Sequence, residues 1–152
     1  GEESTVRRLI PMIISPHFDI REFVTPEAWQ SLGERSAWLI DRRIIEVAEL
    51  LREMTDRPVT INNWHTGGHY KESGLRNMNT RTGAIWSQHK FGRAIDMKVQ
   101  GMKPEDVRNL IRQNWEAFRF VGLTTIEKDT PTWVHCDCRY TGLRTLFEIH
   151  YK

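Results

Sequence analysis

Ser87-Gln88-His89-Lys90-Phe91-Gly92-Arg93-Ala94-Ile95-Asp96 closes a long polar stretch and opens an apolar one. A His and an Asp seven apart mean nothing by themselves. Here the His ends a polar loop, Gly92 permits a sharp entry into a strand, and Asp96 sits on that strand between Ile95 and Met97. An ionised carboxylate flanked by two large apolar residues is costly to bury without a partner. A cation is one such partner.

Working outward, Arg93 to Val99 reads as a strand. Asn62 to Trp86, upstream of it, is glycine-containing, polar and without a clean period, hence a long loop; loops of that length in a compact domain usually line a functional site. Downstream, Trp133-Val134-His135-Cys136-Asp137 alternates: Trp133, His135 and Asp137 share one strand face, and Val134, Cys136 and Cys138 the other. If the neighbouring strand carries Asp96, then His89, Asp96 and His135 converge from a loop and two strands. Three protein ligands with an open fourth position are the pattern of catalytic zinc.

The rest of the chain supplies a scaffold. Thr25-Pro26 is a helix start and Gly33 a stop, giving a short helix over Pro26 to Leu32. Ile40, Ile44, Val47, Leu51 and Met54 make one apolar stripe, so the spacing predicts a helix from Ser36 to Thr55. Val59-Thr60-Ile61 follows as a short strand. Pro104-Glu105-Asp106 starts a helix that runs to about Ala117. Phe120 to Ile126 and Trp133 to Tyr140 read as an antiparallel hairpin, and Leu143 to Tyr151 as one more strand. This order predicts an α+β fold, a small antiparallel sheet with helices packed on one side. Residues 1–14 form an N-terminal arm and 15–152 a single domain.

Composition narrows the function classes. The 152 residues are 39% apolar and 28% charged, with a formal charge of +2. That is an ordinary globular chain. No clustered basic stripe marks a nucleic-acid binder, and no apolar run reaches the ~20 residues that span a bilayer. No signal peptide is visible, so the expectation is synthesis in the cytoplasm. The two cysteines, Cys136 and Cys138, are poorly placed for a disulfide and lack the second pair a zinc knuckle needs; they read as small buried hydrophobes. His65 and His69 lie four apart, but Gly67-Gly68 argues against a helix between them. Trp64 and Trp86 flank the long loop. Trp29, Trp38 and Trp115 read as packing residues on helices.

Ser87-x-His89-x-x-Gly92-x-Ala94-x-Asp96, followed roughly forty residues later by Trp133-x-His135, resembles the zinc D-alanyl-D-alanine peptidase family. This group of peptidoglycan carboxypeptidases, endopeptidases and phage endolysins is related to the hedgehog signalling domain. Phe18-Asp19-Ile20-Arg21-Glu22-Phe23 looks like the family's opening, and Val59 to Arg76 like its substrate-side loop. The resemblance implies a hedgehog/D-Ala-D-Ala-peptidase-like fold and a Zn²⁺ held by His89, Asp96 and His135 with water as fourth ligand. It implies hydrolysis of a peptide bond next to a D-amino acid, in a stem peptide or cross-link of the bacterial wall. Arg76, with Arg81 second, is the candidate for the substrate's carboxylate, and Ser87 joins it as a substrate-binding candidate.

One departure stands out. In the family the general base is an acid three residues before the last zinc His, and here that position is Thr132. Asp129 and Glu127 are the candidate catalytic substitutes, Asp129 favoured as nearer in sequence to His135. Asp137 is a third, better suited to orienting a zinc His or pairing with Arg93 or Arg139. The leading expectation is a zinc metallopeptidase acting at the bacterial cell wall, a phage lysis protein or virion-attached hydrolase with other virion proteins as partners. The alternative is a non-catalytic zinc-binding structural or wall-binding module of a phage particle.

Overall fold

The computed structural model describes residues 13–151. The expected N-terminal arm lies outside them apart from Ile13 and Ile14, which begin strand β1 (Ile13–Ser15), paired antiparallel with β2 (Phe18–Asp19). Helix α1 (Pro26–Leu32) has Pro at its first turn and Thr25 as its cap, the Thr25 hydroxyl accepting from Ala28 N–H.

The single helix expected over Ser36 to Thr55 is instead two pieces. A 3-10 segment, Gly33–Leu39, is followed by extended Ile40, and α2 (Arg42–Thr55) begins only after Asp41. Asp41 is the reason: its carboxylate accepts from Arg43 N–H, a helix N-cap, while its own N–H donates to Gly92 O (2.9 Å). The break turns Trp38 out to solvent at 76% exposure, so it is not the packing residue expected. Trp29 and Trp115 do pack partly buried against the core. From α2, Ile44, Val47, Ala48 and Leu51 are fully buried.

A second correction concerns residues 104–126. Helix α3 (Pro104–Gln113) ends at Asn114, and a second helix, α4 (Trp115–Val121), takes residues expected to begin a strand. The aromatic and β-branched run Phe118-Arg119-Phe120-Val121 has strand propensity, but Gly122 (φ 112°) caps a helix after it. Strand β5 therefore starts at Thr125 and runs to Glu127.

The main sheet has five strands in the order β3 (Val59–Thr60), β4 (Ala94–Val99), β6 (Val134–Asp137), β5, β7 (Phe147–Ile149). All neighbours are antiparallel except β7, which lies parallel to β5, so the sheet is mixed at that edge. The fold is α+β. Strand alternation gives the sheet two chemically opposite faces. Ile95, Met97, Val99, Ile126, Val134 and Cys136 point into the core that α2, α3 and α4 cover. Asp96, Lys98, Glu127, Trp133 and His135 line an open cleft on the other face. Cys136 and Cys138 are free and buried.

Candidate metal centre

The site forms because three strands are in register. Asp96 of β4 pairs directly with His135 of β6. Ile126 of β5 pairs with Cys136, so one further step sets Glu127 opposite His135. Asp96, His135 and Glu127 thus make one row across the sheet. Asp96 Oδ1 lies 3.0 Å from His135 Nδ1, and Glu127 Oε1 lies 3.1 Å from the same nitrogen.

His89 joins from the 3-10 turn Gln88–Phe91. The Ser87 hydroxyl caps this turn by accepting from His89 N–H, and Gly92 closes it at φ 68°. A Cβ on Gly92 would fall 1.9 Å from Leu39 O, so only glycine fits this close approach. The long loop fixes the ring. Leu75 N–H donates to Phe23 O and Asp96 N–H to Ser73 O, which brings Gly74 O within 2.8 Å of His89 Nδ1. A carbonyl can only accept, so Nδ1 carries the hydrogen and Nε2 is left for the cluster, 3.3 Å from Asp96 Oδ1.

His135 is fixed in the complementary way. Its Nε2 faces Asp137 Oδ2 at 2.7 Å, and Arg139 grips the same carboxylate through Nε (2.8 Å), Nη2 (2.6 Å) and its backbone N–H (3.1 Å). Asp137 is fully buried. Burial pushes its pKa up, but His135 and Arg139 outweigh that and hold it below the usual carboxylate range. An ionised Asp137 keeps a hydrogen on His135 Nε2 and aims Nδ1 at Asp96. Each imidazole thus donates one N–H outward and turns the other nitrogen inward, the support metal-ligating histidines almost always have.

His89, Asp96 and His135 offer three ligand atoms within 4.8 Å of one another and can hold a metal ion. Donors about 2.0–2.1 Å from a tetrahedral ion sit about 3.3 Å apart, and the histidine–Asp96 separations of 3.0 and 3.3 Å match. Electrostatics agree. Burial raises the Asp96 pKa, but the two imidazoles beside it win and keep it ionised. Burial lowers the His89 pKa, leaving that ring neutral and able to ligate. Burial also opposes charge on His135, yet hydrogen bonds to Asp137 and Asp96 raise its pKa to about 9.

The remaining expected residues separate clearly. Glu127, and not Asp129, stands at the cluster. Asp129 lies past the end of β5, where its carboxylate accepts from Tyr151 N–H (2.6 Å) and faces His150 Nδ1 (3.0 Å) on the surface. Of the two acids, Glu127 is the one beside His135, because the register of β5 on β6, and not nearness in sequence, sets distance across the hairpin. Burial raises the Glu127 pKa, and Asp96 and Asp137 push the same way against His135. Thr132 is exposed. Arg76 is in the cleft but largely engaged, Nη2 donating to Asp96 Oδ2 (3.2 Å) and Nε to Glu72 O (2.9 Å). Trp64 is tied to Val24 O through its indole N–H, whereas Trp86 stands on the cleft rim at 77% exposure. Sequence reading passed over Lys98, which also lines the cleft; its place two residues after Asp96 on the same strand face was the available signal. Compared with protein-family models, with curated proteins and with solved structures, the chain matches none.

Proposed function

We propose that this chain is a zinc-dependent peptidase that hydrolyses peptide bonds of bacterial cell-wall peptidoglycan. The observation that carries this reading is the row Asp96–His135–Glu127, with His89 beside it, on the floor of an open cleft of about 620 Å³. A purely structural metal site is closed by protein ligands; here three ligands face a cleft, and an acid stands next to them. Zinc, when bound, supplies Lewis-acid chemistry, polarising a carbonyl and making water nucleophilic at neutral pH.

The chain's own residues supply the rest. Glu127 Oε1 takes a proton from the attacking water and returns it to the leaving amine, and its partly buried, upward-shifted carboxyl suits a group that must both accept and release one. Arg76 Nη2 holds Asp96 in its ligating position. Ser87 fixes the turn that presents His89. The D-alanyl substrate class and a wall-lysis role, phage or bacterial, rest on the motif resemblance; an acid across the hairpin takes the place of the one missing at Thr132.

The test is clearing of purified cell walls with and without a chelator. Clearing that the chelator abolishes, zinc restores and His135→Ala eliminates supports the peptidase. One zinc per chain with no clearing means a non-catalytic binding module.

A further inference from the structure

One rung along the sheet from the ligand row, the cleft holds a cation without a carboxylate of its own. Lys98 follows Asp96 by two residues on the same face of β4, a displacement of about 6.6 Å. Thr60 of β3 pairs with it on one side. On the other, continuing the β4–β6 register past Met97–Val134 places Trp133 across from it. Its Nζ sits 4.1 Å from the centre of the Tyr70 ring. Lys98, Tyr70 and Trp133 line the same cleft as the metal ligands.

Of the other charged side chains of the cleft, Lys71 is exposed to solvent and the rest are already engaged. Arg139 is on Asp137 and Arg76 on Asp96. Glu127 is on His135, and the Glu72 carboxylate accepts from the Thr80 and Thr82 hydroxyls. Among the described residues no carboxylate lies within ion-pair distance of Lys98 Nζ. A half-buried ammonium over an aromatic face is held in place but not neutralised. Its rotamer freedom is already restricted, so an incoming anion meets a donor fixed beforehand.

We propose that Lys98, held over Tyr70, is a carboxylate-binding subsite one rung from the metal-ligand row, selecting acidic peptide ligands. Successive strand rungs match the spacing of alternate residues in an extended peptide. The carboxylate therefore belongs to a residue close to the reacting bond, carried either by the chain terminus or by a side chain. Identifying the ligand as a wall peptide rests on the function proposed above; the subsite itself does not.

The experiment uses the zinc-loaded Glu127→Gln variant, in which turnover is blocked, titrated calorimetrically with three D-alanine-containing tripeptides. One has a free C-terminus, one is amidated and neutral, and one is amidated with a glutamate side chain. The expected result is that an acidic peptide binds about tenfold or more tighter than the neutral one, and which of the two does so identifies the source. Adding Lys98→Met erases the difference, Lys98→Arg retains most of it, and raising the salt concentration shrinks it. Equal binding of acidic and neutral peptides, no binding of any, or a difference that survives Lys98→Met at full zinc content overturns the subsite. If walls are cleared while the difference ignores Lys98, only the subsite falls. If walls are not cleared but the difference follows Lys98, the peptidase reading falls and the subsite stands.

Discussion

Replacing Asp137 by Asn tests whether the second layer of the site sets its metal affinity. The substitution keeps shape and volume but removes the charge from a fully buried group. Asp137 now accepts from His135 Nε2 and from Arg139 Nε and Nη2, at 2.7, 2.8 and 2.6 Å. An amide has one oxygen, so its NH₂ must point at one of those donors. If it faces His135, the ring loses the bond that keeps its hydrogen on Nε2 and its Nδ1 free to ligate. Outer partners of this kind are worth about 10–100-fold in metal affinity, or about 1.4–2.7 kcal/mol. Removing one member of a buried ion pair costs about 3–5 kcal/mol of stability; Arg139 is 29% exposed and can rehydrate, so about 3 kcal/mol is expected in the metal-free protein. Zinc affinity is read by competition with a chromophoric chelator and stability by urea unfolding, with Asp129→Asn as the control that changes neither by much. Zinc affinity of Asp137→Asn within threefold of the parent, in folded protein, would refute the reasoning.

Glu127→Gln is expected to lower peptide turnover by about 10²–10⁴-fold at full zinc content, whereas Asp129→Asn keeps turnover within a few-fold; the reverse pattern in a wall-clearing rate assay would reinstate Asp129. Zinc must displace the proton that His135 holds, with its pKa raised to about 9, while neutral His89 and ionised Asp96 have none to release. Calorimetry at pH 7 in buffers of different ionisation enthalpy should therefore show about one proton released per zinc, with affinity rising as pH climbs toward 9 and levelling above it; affinity that is flat from pH 6 to 9 contradicts this. Leu51→Ala opens a cavity at a fully buried position of α2 and should cost about 2–5 kcal/mol in urea unfolding, and a loss below about 1 kcal/mol would mean that α2 is not the spine of the core.

The parts of this structure legible in sequence are those where one local signal sufficed. Thr25-Pro26 and Gly33 bound α1 because a cap and a stop are read from single residues. The alternation of Trp133 to Asp137 put His135 and Asp137 on one face, and their 2.7 Å contact follows from it. The His89, Asp96 and His135 cluster was legible because a glycine-led strand entry and a neighbouring strand constrain where three side chains can meet. Failures came where a long-range contact overrode a local pattern. The apolar stripe through Ile40 extends across a helix break that Asp41 and Gly92 enforce from two distant segments. The β propensity of Phe120 and Val121, read as the start of a strand, yields to a helix that Gly122 terminates and the core stabilises. Glu127 was ranked below Asp129 because distance along a chain was used where the register of β5 on β6 sets distance in space.

X-ray absorption at the zinc edge on the metal-loaded protein examines the ligand set on which everything else rests. The expected spectrum has two imidazole nitrogens and one carboxylate oxygen at about 2.0–2.1 Å, with one further light scatterer, and His89→Ala or His135→Ala removes the bound metal. Sulfur scattering at about 2.3 Å, or one zinc per chain retained in both variants, would place the ion elsewhere and contradict the site built from His89, Asp96 and His135.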